Sequence, residues 1–176
     1  MYVADDSGAL RIVDISNPGK PRETGHVDLP EYNRGVAVDG RYAYLAAGWQ
    51  GLVIIDVSDS RRPLQVADLK SVGYVTDVHK VGSLAVVVGH RSGLRVVDVS
   101  NPLQPLEIGH AEMPGQPHGV YIADRRAYVV SLDSVEEDGV GGLTIFDLSD
   151  PTAPKRLSFQ KLIYGAERVW VEGKYA

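Results

Sequence analysis

The sequence predicts an all-β chain of four-stranded antiparallel blades, arranged as a β-propeller, and three observations predict it. One phrase is written four times: GALRIVDISNPGKP from Gly8, GLVIIDVSDSRRP from Gly51, GLRVVDVSNPLQP from Gly93 and GLTIFDLSDPTAP from Gly142. Its aspartate falls at Asp14, Asp56, Asp98 and Asp147, so the copies stand 42, 42 and 49 residues apart, a period that signals stacked supersecondary units. Each period holds four short strand-like runs, and four antiparallel strands per unit is the arithmetic of a propeller blade.

The second unit shows the runs most clearly: Gly35 to Asp39, Tyr42 to Ala46, Leu52 to Val57 and Gln65 to Leu69. The first two alternate, as a strand with one packed face does, whereas LVIID is continuously apolar and predicts a strand covered on both sides. Helix is disfavoured, because Gly and Pro interrupt the chain every few residues and no amphipathic window persists. After each LVIID-like run comes an Asp-x-Ser-Asn/Asp turn, as at Asp14, Ser16 and Asn17. Its short oxygen-bearing side chains bond nearby backbone N–H groups, and the following proline ends the ladder. Ser60 replaces that proline in the second unit.

LVIID at Leu52, LRIVD at Leu10, LRVVD at Leu94 and LTIFD at Leu143, each followed by its turn, resemble the LVIVD repeat, and the resemblance extends over essentially the whole chain. It implies a propeller of bacterial or archaeal type, often carried on exported or cell-surface proteins, in a family whose biochemical role is mostly undefined. The units run near residues 1–30, 31–72, 73–114 and 115–162, with 163–176 beginning another. Lys174-Tyr175-Ala176 matches Arg41-Tyr42-Ala43, and Met1-Tyr2-Val3 matches Ala43-Tyr44-Leu45, so one blade is divided between the termini. The C-terminal residues either close onto residues 1–30 or start the next blade of a longer propeller. A fragment of a larger propeller is the favoured expectation, and its open blade edges would invite self-association.

Composition narrows the classes of function. With 176 residues, 44% of them apolar, the chain can bury a substantial core without cysteine, of which it has none. A net charge of −5 with scattered Lys and Arg argues against a nucleic-acid surface. No run approaches the ~18 apolar residues of a membrane-spanning helix, and no membrane insertion is expected. Location rests on the resemblance alone, which implies an extracellular, cell-surface or periplasmic protein.

In antiparallel blades the entry points of the innermost strands gather around one mouth of the central channel. Aligned copies put Arg34, Thr76, His118 and Glu167 there, followed by Gly35, Asp77, Gly119 and Arg168. This is a candidate polar site, set against the plainer reading of a solvated rim whose opposite charges pair across the opening. The loops between second and third strands emerge on the same face and carry Trp49 and His90. Trp49 is either a contact anchor or a cap between blades. Trp170 aligns with Ala37, His79 and Tyr121 and is expected to pack or line the channel. His26 and His110 fall on outermost strands and are expected to be exposed. The seven extra residues of the fourth unit lie in the loop from Ser131 to Gly141. Its Asp133, Glu136, Glu137 and Asp138 fail the calcium-loop pattern, because Val135 stands where an oxygen ligand is needed.

No nucleophile elbow, phosphate loop, dinucleotide fingerprint or metal-ligand spacing is present, so no metal and no cofactor is expected. The function expected is a non-catalytic binding or scaffold module presenting propeller loops to a protein or glycan partner. The alternative is an enzyme for a small anionic substrate, with His118 as general base and Arg34 or Arg168 stabilising negative charge.

Overall fold

The structure is a computed structural model and describes residues 1–5, 8–90, 92–113, 115–132, 141–162 and 165–176. Its described residues form four antiparallel sheets in chain order. The first joins β1 (Tyr2–Asp5), β2 (Ala9–Asp14) and β3 (Arg22–Asp28). The second joins β4 (Gly35–Asp39), β5 (Tyr42–Ala46), β6 (Leu52–Asp56) and β7 (Leu64–Leu69). The third joins β8 (Asp77–Val81), β9 (Leu84–Gly89), β10 (Gly93–Asp98) and β11 (Leu106–Ala111). The fourth joins β12 (Gln116–Ala123), β13 (Arg126–Leu132), β14 (Gly142–Asp147) and β15 (Lys155–Lys161). Among the described residues the one helical piece is a 3-10 turn at Lys70–Val72.

The continuously apolar third strands explain how these sheets stack. In β6, Leu52 and Ile54 point toward the third sheet, where they meet Val78, Ala85, Val87 and Val97. The intervening Val53 and Ile55 point the other way and pack with Leu10, Ile12, Ala43 and Leu45. The third sheet repeats the device: Val86, Val88, Leu94 and Val96 leave the first of these cores and join Val120, Ile122, Val129 and Phe146. Successive side chains of a strand alternate faces, so a run such as LVIID fills two inter-blade cores at once. All four of its apolar side chains are fully buried, each stabilising the stack by roughly 1.5 to 3 kcal/mol.

Turn chemistry recurs with the same regularity. A carboxylate oxygen of Asp14, Asp56, Asp98 and Asp147 accepts the backbone N–H two residues on, at 2.8, 2.9, 2.8 and 2.8 Å. These bonds hold the carboxyls below their ordinary range; for Asp56 the Arg41 guanidinium is the larger cause, and for Asp147 the Ser149 side chain. Between the third and fourth strands every sheet also shifts register, at Ile12/Val13, Ile54/Ile55, Val96/Val97 and Ile145/Phe146.

The blade that the sequence divides between the termini is the one short of four strands, in keeping with the favoured reading of open blade edges. The first sheet has three, and residues 165–176 form an isolated bridge, Glu172 with Tyr175, in place of a strand paired to β1. Their bonds run sideways instead: the Ala166 N–H reaches the Ser131 carbonyl at 3.2 Å, and the Arg168 guanidinium reaches the Arg34 carbonyl at 2.9 Å.

Gly89, at the end of β9, lets the backbone of Tyr74 and Val75 press against that strand. A Cβ there would sit 1.8 Å from the Tyr74 carbonyl oxygen and 2.7 Å from the Val75 Cα. Overpacking against backbone costs about 1 to 3 kcal/mol. Gly89→Ala is therefore expected to lower the unfolding free energy by that amount, read as a lower urea midpoint at an unchanged m-value.

Candidate functional site

Arg34 stands just before β4, Thr76 just before β8, His118 within β12 and Glu167 in the C-terminal stretch. They line one cavity of about 390 Å³, together with Ala4, Asn33 and Arg168. Every unit thus contributes to its wall. The structure brings Arg34, Thr76, His118, Glu167 and Arg168 together; it does not bring Trp49, His90 or Asp77 into the lining.

Asp77 has a different job. Its buried carboxylate accepts the Val120 backbone N–H at 3.0 Å, tying the third blade to the fourth, and takes the Arg168 guanidinium at 3.1 Å. Burial raises its pKa, while Val120 and Arg168 pull the other way. Gly35 makes room for it, since a Cβ there would lie 2.3 Å from its Oδ1. Thr76 is likewise turned to structure: its hydroxyl donates between the Val88 carbonyl at 3.1 Å and the Pro117 carbonyl at 2.9 Å.

The expected pairing of charges across the mouth is thus half realised. Arg168 pairs with Asp77, whereas Arg34 and Glu167 make no ion pair with each other or with any described residue.

From the cavity a line of rings runs outward across three units. His118 meets His90 with ring centroids 5.1 Å apart and Nε2 atoms 3.3 Å apart. His90 meets Tyr74 at 5.5 Å, and Tyr74 meets Trp49 edge-on at 5.1 Å. Trp49 is 66% exposed, so it reaches across to the next blade and also presents a free face. A second line, His79 to Tyr121 to Trp170, has centroids 4.8 Å apart at each step. These are aligned positions of the repeat, two on innermost strands and Trp170 in the C-terminal stretch, and Trp170 remains largely exposed. His26 and His110 are exposed on β3 and β11, as the repeat predicts.

Burial holds the His118 imidazole below its ordinary value, and His90, Arg34 and Arg168 add to this against Glu167. Burial and Arg34 do the same to His90, and burial alone to His79. All three are therefore neutral near pH 7. Among the described residues no group of three or more His, Cys, Asp or Glu side chains is placed to hold a metal. The acidic loop residues Asp133, Glu136, Glu137 and Asp138 lie outside the described residues.

The alignment passed over Asn33 and Tyr74. Asn33 is 1% exposed, and neither amide atom of its side chain has a hydrogen-bond partner. A signal was available: Val75, Pro117 and Ala166 hold the same place in the other copies, so one amide stands in an otherwise apolar register.

The LVIVD repeat family model matches residues 1–29, 32–67, 72–112 and 138–158, well over half of the sequence. The chain belongs to the LVIVD-repeat family. No curated protein matches this LVIVD-repeat chain. Its fold is similar to that of the computationally designed protein Ika8, with a TM-score of 0.72 at 10% identity over 98% of this chain and 49% of that one. It is similar to designed Ika4 with a TM-score of 0.62 at 9% identity over 82% of each chain. A functionally unknown protein from Desulfotomaculum acetoxidans DSM 771 gives 0.67 at 12% identity, over 91% of this chain and 52% of that one. The chain thus spans about half the length of two of these structures. At such identities the likeness concerns fold alone.

Two outcomes follow from the electrostatics. A histidine whose folded pKa lies below 6.5 leaves the unfolded chain binding more protons on acidification, so stability falls as pH drops through and below 6.5. NMR titration should place His79, His90 and His118 below that value. Arg168→Ala leaves the buried Asp77 carboxylate without its cation, at a cost of about 1 to 3 kcal/mol near pH 7. Because Asp77 is raised, the native state holds its proton longer, and the loss should shrink as pH falls toward 4. Denaturant melts across pH measure this, and in an Asp77→Asn background the effect should largely vanish.

Proposed function

We propose that this LVIVD-repeat propeller is a non-catalytic binding module that presents its loop-bearing face to a protein or glycan partner. The location proposed, on an exported or surface protein, follows the family resemblance. One observation carries the reading: the run of rings from exposed Trp49 through Tyr74 and His90 to His118. Large rings held by one another offer contact area at low entropy cost, whether to apolar side chains or to the C–H faces of sugars. The rigid blades beneath fix the spacing of these rings, as a scaffold does for loop-borne contacts.

The catalytic alternative, with His118 as base, has less support. The His118 Nε2 lies against His90 Nε2, and the Thr76 hydroxyl is bonded to backbone carbonyls. Arg168 is occupied by Asp77 and the Arg34 carbonyl.

Trp49→Ala tests the proposal directly. Removing an exposed ring should leave the melting temperature within a degree or so, while retention on a glycan array or in a pull-down falls by at least about tenfold. Equal retention by wild type and variant would count against the aromatic face.

A further inference from the structure

The cavity at the mouth holds three polar side chains that the fold does not use. The Arg34 guanidinium and the Glu167 carboxylate both line it, and neither has a hydrogen bond or salt bridge among the described residues. Both lie close enough to His118 to act on it electrostatically, from opposite signs. Asn33 belongs to the same wall, almost wholly buried, with its amide N–H₂ and its carbonyl oxygen both unpartnered. Leaving a buried amide unpaired is costly, and native structures rarely do so without a reason. The other polar groups of the mouth are spent: Arg168 on Asp77, and Thr76 on two backbone carbonyls.

What remains exposed to a space of about 390 Å³ is one cation and one anion, Arg34 and Glu167. That volume lies toward the small end of ligand pockets. A simple anion would satisfy Arg34 and be opposed by Glu167, and a cation would meet the reverse. A neutral sugar would hydrogen-bond to both groups but leave each charge uncompensated. We propose that the mouth binds a zwitterionic α-amino acid, with its carboxylate on Arg34 and its ammonium on Glu167. A guanidinium suits a carboxylate because its planar fork donates two parallel bonds. The His118 imidazole, neutral near pH 7, lines the wall beside these charges and is itself packed against His90. The site uses different atoms from the outer ring face and stands independently of what that face engages.

Isothermal titration and thermal shift of the intact protein with a panel of free L-α-amino acids provide the test. At least one should raise the melting temperature in a concentration-dependent way. Its N-acetyl derivative, lacking the ammonium, and its amide, lacking the carboxylate, should each bind about 10- to 100-fold more weakly, the usual loss for one charged hydrogen-bonded contact. Arg34→Gln and Glu167→Gln should each weaken binding of the free amino acid by a similar factor. Both positions are exposed, so the unliganded melting temperature should hold. Trp49→Ala should keep the response, which separates this site from the outer face. The proposal fails if no free amino acid binds at about 10 mM, tenfold above a Kd of about 1 mM. It fails also if acetate binds as well as the amino acid and Glu167→Gln is silent, because the site would then be an anion site only.

Discussion

Every third strand of this chain carries apolar side chains on both of its faces, and neither face can be left to water. A sheet so built is best covered by two neighbours, and the second and third sheets of this chain have both. Repetition of one phrase therefore becomes a stack of blades whose cores lie between sheets rather than within them. The three inter-blade cores, built from residues such as Leu10 with Val53, Leu52 with Val87, and Leu94 with Phe146, are three instances of one solution. Since each blade covers the next, the inner edges are drawn together, and the side chains at the strand entries have nowhere to go but the common opening.

That convergence gives the mouth its character. Positions that are equivalent in the repeat need not be equivalent in chemistry, because packing constrains the strands but hardly touches the entry residues. Arg, Thr, His and Glu occupy one such position, and the fold then sorts them. Thr76 is recruited to tie neighbouring backbones, and the adjacent Asp77 is buried as a fastener between blades. Arg34 and Glu167 are left facing the cavity. Outside it, rings supported by rings continue the surface as far as Trp49.

Much of this is legible in the amino-acid sequence. The strands of the second unit fall within a residue of where alternation places them, and the Asp-x-Ser turns form the bonds that their side chains permit. The mouth is legible by counting alone, because the seven-residue insertion falls outside the innermost strand and leaves Glu167 in step with His118. The less legible features depend on distances between blades, which no period records. Asp77 reads as a mouth residue in an alignment, yet a glycine at position 35 lets it turn inward to the Val120 N–H. The closeness of His90 to His118 and of Tyr74 to Trp49 depends on how far adjacent blades fan apart. Residues 165–176 carry strand-like sequence but bond sideways to Ser131 and Arg34.

The fourth unit shows how tolerant the architecture is. Ser131 pairs with Gly142 across ten intervening residues, in the register that Gly89 keeps with Gly93 across three. Length can therefore change at that hairpin without disturbing a single rung of the ladder on either side. The hairpin tips are splice points, where foreign epitopes or reporter peptides could be inserted while the underlying blade keeps its alignment.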